Sequence, residues 1–341
     1  MTRNAHISQR NISCIARDVS VFFRGHKLLK KSWVYRHMDK LFKWLAISAT
    51  AVMFLVMIAG SLVTKTESGL GCGNDWPLCN GKWVPEYTLE SIIEYLHRVT
   101  TGIAGIVVMI FTVWAWRRYK GNREVRSLAV FGLFFIVLES LLGASAVMWP
   151  QSSPVLALHF GFSLLAFTGV LLLTLFVLQR EKLENLVQAS VSPRFRAYMW
   201  ALTAYAYGVV YLGAYVRHTG SSMGCSDWPL CQGKLIPELS GQTGIHFVHR
   251  VGAALLFFLL LGVLVYAVRY LKQTRRDLYR ASILAFVLVT AQVLSGGMVV
   301  LFKLHLYATL LHSAIITCLF GVLFYMAVQS LKSPQSIKLR K

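Results

Sequence analysis

Residues Gly60 to Arg98 read G-S-L-V-T-K-T-E-S-G-L-G-C-G-N-D-W-P-L-C-N-G-K-W-V-P-E-Y-T-L-E-S-I-I-E-Y-L-H-R. Residues Gly213 to Arg250 read G-A-Y-V-R-H-T-G-S-S-M-G-C-S-D-W-P-L-C-Q-G-K-L-I-P-E-L-S-G-Q-T-G-I-H-F-V-H-R. Gly60, Gly71 and Cys72 return as Gly213, Gly224 and Cys225. One residue then drops out between the cysteines, after which Asp75, Trp76, Pro77, Leu78, Cys79, Gly81, Lys82, Pro85, Glu86, His97 and Arg98 return in the same order. In both blocks an apolar segment leads into a loop with two cysteines, and a second apolar segment opens on a His-Arg pair. The chain is a tandem repeat, and a site built on this block is a doubled site.

Around these blocks the composition is that of a membrane protein. Of 341 residues, 56% are hydrophobic and 14% charged, and the mean hydropathy is +0.56. A helix needs about 20 apolar residues to cross the hydrocarbon. Eight stretches meet this requirement: 42–63, 93–116, 125–148, 154–178, 197–216, 244–268, 279–301 and 305–329. Four crossings bring the second repeat in with the orientation of the first. The expected fold is an all-α integral membrane protein of eight transmembrane helices. They form two tandem four-helix bundles related by a pseudo-twofold axis along the membrane normal. The expected divisions are a basic cytoplasmic leader (1–41), an N-terminal half (42–180), a cytoplasmic linker (181–196), a C-terminal half (197–330) and a cytoplasmic tail (331–341).

The net charge of +21 is not a nucleic-acid signature, because of where it lies. Of 35 Lys and Arg, 28 fall in the stretch up to Lys43, in the loops 117–126, 180–196 and 269–280, and in the C-terminal tail. Lys65, Lys82, Arg217, Lys234 and Lys303 fall on the opposite side. The positive-inside rule therefore predicts a multi-pass protein of the cytoplasmic membrane, with both termini in the cytoplasm and both cysteine loops outside. The basic segments serve as topology signals and contacts to anionic membrane lipid. The leader has no apolar core or small-residue cleavage site, so it is not read as a signal peptide.

Cys14 and Cys318 stand alone, whereas Cys72/Cys79 and Cys225/Cys231 each share a short outward loop. Such pairs favour disulfides outside the cytoplasm. Zinc would need further His or Cys ligands that neither loop supplies. For Cys225/Cys231 the favoured reading is a structural clip over the bundle mouth. For Cys72/Cys79 a clip and a redox-active disulfide both remain open.

Four histidines form the main chemical signal. His97 and His159 lie near the outer ends of the second and fourth spans, and His249 and His312 repeat the arrangement in the second half. Ionisable groups within a membrane are costly and mark function. A His on each of two facing helices, between apolar walls, is the geometry of bis-histidine haem ligation in a four-helix bundle. Arg98 and Arg250 follow two of these histidines. Each either snorkels to the interface or pairs with a haem propionate, and the adjacent haem favours propionates. Arg217 and Lys65 are weaker candidates for that contact.

The halves differ at one telling position. Glu94 stands three residues before His97 and shares its helix face, while the counterpart before His249 is His246. A carboxylate there can act as a base or offset developing positive charge. The plainer alternative is an acid placed to suit a helix N-terminus. The asymmetry makes the N-terminal half the expected seat of chemistry and the other the holder of a permanent cofactor. Glu139 aligns with Gln292, either on a proton path or in a structural hydrogen bond.

Eight spans in two halves, a His pair per half, the E-x-x-H-R motif and the paired cysteines together resemble haem A synthase of the Cys-containing bacterial type, over about residues 42–329. The resemblance implies oxidation of the C8 methyl group of haem O to a formyl group by successive hydroxylations with water-derived oxygen. It further implies that His97 and His159 hold the substrate haem and that His249 and His312 ligate the iron of a resident haem B. Glu94 matches the family's catalytic acid, and Cys72 and Cys79 match the pair assigned to electron or substrate transfer. Partnership with haem O synthase and self-association are implied as well. Two other classes compete on the residues alone. A di-haem b-type electron carrier would leave the Glu94/His246 difference without a use. A haem or solute transporter would call for broken helices at midplane.

Overall fold

The computed structural model describes residues 37–149 and 152–335. Eight helices are long and apolar enough to cross a membrane. They are α1 (His37–Lys65), α2 (Leu89–Arg118), α3 (Arg123–Met148), α4 (Ser153–Gln179), α5 (Pro193–His218), α6 (Gly241–Tyr270), α7 (Arg276–Leu301) and α8 (Leu306–Ser330). The protein is thus an all-helical, multi-pass membrane protein. Residues 37–46 and those from Ile47 onward fall in separate units, and the features below belong to the second. Cys14 and most of the basic leader lie outside the described residues.

The helices begin and end where local chemistry permits. α2 starts a turn before the apolar stretch, because Thr88 caps it by accepting from the Ser91 N–H at 3.3 Å. Asn122 opens α3 by accepting from the N–H groups of Glu124 and Val125. Ser192 accepts from Phe195, with Pro193 in the first turn of α5, where its missing N–H costs nothing. Apolar periodicity shows the buried run of a helix but not these polar first turns, and the expected boundaries accordingly fell short at α2 and α6.

α4 is the central element. Its most apolar window is 72% buried, against 28% in α2 and 17% in α3. It packs against α3, α5 and α8. Two glycines let the backbones of α3 and α4 touch, since a methyl group on Gly169 would stand 2.8 Å from the Gly132 Cα. Close approach through small residues is the usual basis of helix association in lipid. Large apolar side chains such as Ile106, Phe134, Phe258 and Val287 are exposed on the outer helices, where lipid is their solvent.

At the end of the bundle opposite the cysteine loops, polar groups tie distant parts of the chain together. Arg275 is fully buried and grips Asp277 with two donors, Nε to Oδ1 at 3.0 Å and Nη2 to Oδ2 at 2.7 Å. Its Nη2 also donates to the Gln329 carbonyl at 2.8 Å. Nearby, Lys332 pairs with Glu124 at the start of α3 at 2.7 Å. The connection after α4 joins the same region, with Gln188 N–H donating to the Thr274 carbonyl at 2.9 Å. Removing one member of a buried pair strands the other charge. Asp277→Ala is therefore expected to lower stability by about 3 kcal/mol or more, read as a fall in the unfolding midpoint of the detergent-solubilised protein.

Candidate functional site

Each of the four histidines faces a glycine on the preceding helix. A methyl group on Gly60 of α1 would stand 3.3 Å from the His97 Cε1, and one on Gly143 of α3 would stand 3.3 Å from the His159 Cε1. In the second half, Gly213 of α5 meets His249 at 2.8 Å and Gly296 of α7 meets His312 at 3.2 Å. Any side chain at these positions would displace an imidazole. The glycines recur at matched positions in the repeat, and that recurrence is the signal by which sequence reasoning could have found them. Their role as clearance for a ring becomes visible only when helices are paired.

The imidazoles are poorly satisfied by protein. Nδ1 of His97, His159 and His249 is buried with no hydrogen-bond partner among the described residues. His312 has a defined network: Ser295 Oγ donates to the Gln292 carbonyl at 3.0 Å and lies 2.9 Å from His312 Nδ1. The Ser295 proton is spent on that carbonyl, so the serine accepts from Nδ1–H. This leaves the lone pair on Nε2, 3.1 Å from the Gln292 amide nitrogen. That tautomer is the one a ring needs to bind iron through Nε2.

The two imidazoles within each half lie close enough to interact electrostatically. Among the described residues no group of three or more His, Cys, Asp or Glu is arranged to hold a bare metal ion. A porphyrin supplies its own equatorial donors and needs only axial ones. Buried, under-satisfied imidazoles with apolar walls therefore fit haem iron and do not fit zinc.

Glu94 is buried, with 3% of its surface exposed, and accepts three hydrogen bonds. Cys72 N–H donates to Oε2 at 2.9 Å, while Arg98 Nε and Nη2 donate to Oε1 at 3.1 and 2.5 Å. Arg98 Nη1 continues to the carbonyls of Asp75 at 2.8 Å and Leu78 at 2.6 Å. The guanidinium thus spends nearly all its N–H groups inside the chain. Together Glu94 and Arg98 latch the cysteine loop onto α2. This latch was not legible in the sequence, which showed only a carboxylate four residues before an arginine.

The second half builds the same latch with a weaker acceptor. Cys225 N–H points at Nδ1 of His246 at 3.2 Å, and Arg250 Nε points at its Nε2 at 3.2 Å. A neutral imidazole has one lone pair and one N–H, so it satisfies one of these donors at a time. Arg250, like Arg98, also donates to two carbonyls, those of Leu230 at 2.8 Å and Cys225 at 3.2 Å. Arg217, on the last turn of α5, donates to the Thr64 carbonyl at 2.5 Å, capping the end of α1.

Both cysteine pairs are disulfides, Cys72–Cys79 with Cα atoms 4.3 Å apart and Cys225–Cys231 at 4.7 Å. Cys318 is free. Glu139 is buried in α3, and the Ser163 hydroxyl, one turn beyond His159, donates to the His159 carbonyl at 2.9 Å.

Comparison with known proteins gives the family. The family of cytochrome oxidase assembly proteins, COX15-CtaA, matches residues 43–92 and 86–324. The Heme A synthase of Geobacillus kaustophilus is 43% identical over 297 residues, covering 87% of this chain and 93% of that protein. Those of Lysinibacillus sphaericus and Bacillus mycoides are 40% and 39% identical over 306 and 302 residues, covering 89% and 88% of this chain and 99% and 97% of those proteins. With its eight spans, paired histidines and paired disulfides, the chain belongs to the COX15-CtaA cytochrome oxidase assembly family, among the heme A synthases.

Proposed function

We propose that this chain converts haem O to haem A, oxidising the C8 methyl group to a formyl group by successive hydroxylations with oxygen taken from water. The observation that supports this best is the break in the repeat. The four histidines and the glycines that face them are duplicated, but the latch residue is a carboxylate in one half and an imidazole in the other. A pure electron carrier has no use for that difference.

In this reading residues 42–180 form the substrate half and 197–330 the half with the resident cofactor. His97 and His159 bind haem O through its iron, and Gly60 and Gly143 leave their rings room to orient. His249 and His312 would hold haem B, which when bound would supply a redox-active iron. Each hydroxylation consumes one water and releases two electrons and two protons, one proton from a methyl C–H bond and one from the water O–H, with the electrons passing to an external electron acceptor. Glu94 is the carboxylate placed to take those protons, with Oε2 freed when the Cys72 N–H lets go. Arg98 holds the other oxygen and fixes the direction in which Oε2 points. Propionate contacts by Arg98, Arg250 or Arg217 would each replace a contact these side chains now make to backbone or to Glu94 and His246. The protein sits in the cytoplasmic membrane with both termini inside, receives haem O from haem O synthase and self-associates.

The deciding experiment is extraction and mass analysis of haems from membranes that contain haem O, with and without this protein. The formyl haem or its hydroxymethyl precursor is expected only with it. Haem B alone, from a folded protein beside untouched haem O, would favour the electron carrier.

Glu94→Gln is expected to leave haem bound while cutting haem A formation by about 100-fold or more, the scale of a lost acid–base group. His249→Ala is expected to strip the resident haem, seen as loss of haem absorbance in the purified protein. Gly213→Ala and Gly60→Ala provide a graded check. The methyl at 213 comes closer to its ring than the methyl at 60, 2.8 against 3.3 Å. Gly213→Ala should thus perturb the resident haem spectrum, and Gly60→Ala should act on haem O binding alone.

A further inference from the structure

The two disulfide loops share a sequence plan but are seated differently. In the second half the Trp228 indole lies against α7 where Gly297 has no side chain. A methyl group there would stand 2.9 Å from Cδ2 and 3.1 Å from Cε2 of the ring, too close for either to stay. Gly297 follows Gly296, the glycine that faces His312. At the matching place in the first half, after Gly143, stands Ala144. The methyl that would unseat the tryptophan is present there. Trp76, the counterpart of Trp228, is accordingly 52% exposed, against 37% for Trp228.

The second loop is also tied more firmly within itself. The Asp227 carboxylate accepts from the N–H groups of Gln232 at 2.6 Å and Gly233 at 2.8 Å. Gln232 Nε2 donates to the Gly224 carbonyl at 3.2 Å and to Thr243 Oγ1 at 3.1 Å, pinning the loop to the start of α6. In the first half the corresponding residues are Asp75 and Asn80, and among the described residues no hydrogen bond reaches the Asp75 carboxylate. The first loop is held down by the Glu94–Arg98 latch and by Ser91 Oγ, which donates to the Gly71 carbonyl at 2.5 Å.

We infer that the Cys72–Cys79 loop is an opening lid and the Cys225–Cys231 loop a fixed one, and that position 144/297 on α3 and α7 sets the difference. Glycine seats the loop tryptophan and keeps its half closed; alanine keeps the tryptophan out and lets its half exchange haem. This rests on the proposal that the first half takes the substrate and the second keeps its cofactor.

Amide hydrogen exchange of the full-length protein in detergent, resolved over the two loops, is the test. Wild-type protein is expected to exchange faster in residues 73–84 than in residues 226–236. Gly297→Ala should speed exchange of the second loop by about tenfold, the factor given by a loss of ~1.4 kcal/mol of closing free energy. Trp228→Ala removes the anchor without touching a helix and should do the same. Ala144→Gly should slow the first loop. Equal exchange of the two loops in wild type, or a second loop indifferent to both Gly297→Ala and Trp228→Ala, would overturn the inference. Haem transfer to apomyoglobin separates it from the reading beneath it. Faster transfer from Gly297→Ala is expected. Loops that respond while transfer stays at the wild-type rate would keep the lid and remove the resident haem from the second half.

Discussion

An imidazole inside a bundle of apolar helices needs room beside it, and in this protein the room comes from a missing Cβ. Each of the four rings stands edge-on to a glycine of the helix before it, at separations a methyl group would close. The rest follows from that clearance. The rings sit buried in the bundle, and in three of them Nδ1 has no hydrogen-bond partner among the described residues. Leaving a buried nitrogen without a partner costs on the order of 1–3 kcal/mol, so an arrangement that does so repeatedly is built to be completed by something else.

The same accounting separates the two halves. A carboxylate can accept from several donors at once, and Glu94 does, joining a loop N–H to an arginine fork. An imidazole offered the same two donors must refuse one. The second half therefore needs other ties, and it has them in Asp227, Gln232 and the seat for Trp228. The first half relies on Glu94 together with Arg98 and Ser91, so the residue that would handle protons also helps to hold the loop. Proton chemistry and access to the site then share one side chain.

Much of this was legible in the sequence, for physical reasons. Span number and order came from apolar runs that must satisfy their backbones internally. The disulfides came from cysteine spacing within short loops, and the histidines from the cost of placing them in a membrane. What stayed hidden was side-chain direction. Arg98 reads as a basic residue beside a ligand, suited to a propionate, yet its fork turns back to Glu94 and the loop carbonyls. Gly297 reads as one more small residue in a span, and only its contact with Trp228 gives it meaning. The early starts of α2 and α6 were missed because their first turns are polar and fall outside an apolar count.

The clasp between Lys332 and Glu124 bears on how the molecule is made. Chains are synthesised from the N-terminus, so Glu124 is in place long before Lys332 exists. α4, the most buried helix, likewise gains its neighbours α5 and α8 only as the second half arrives. The four helices laid down first cannot reach their final packing by themselves during synthesis. A ribosome that stops short of α8 releases a half that lacks both its closing ion pair and the cover for its central helix. Quality control in the membrane would meet such a truncated product as exposed small-residue and polar surface. The end of the message thus decides whether its beginning is kept.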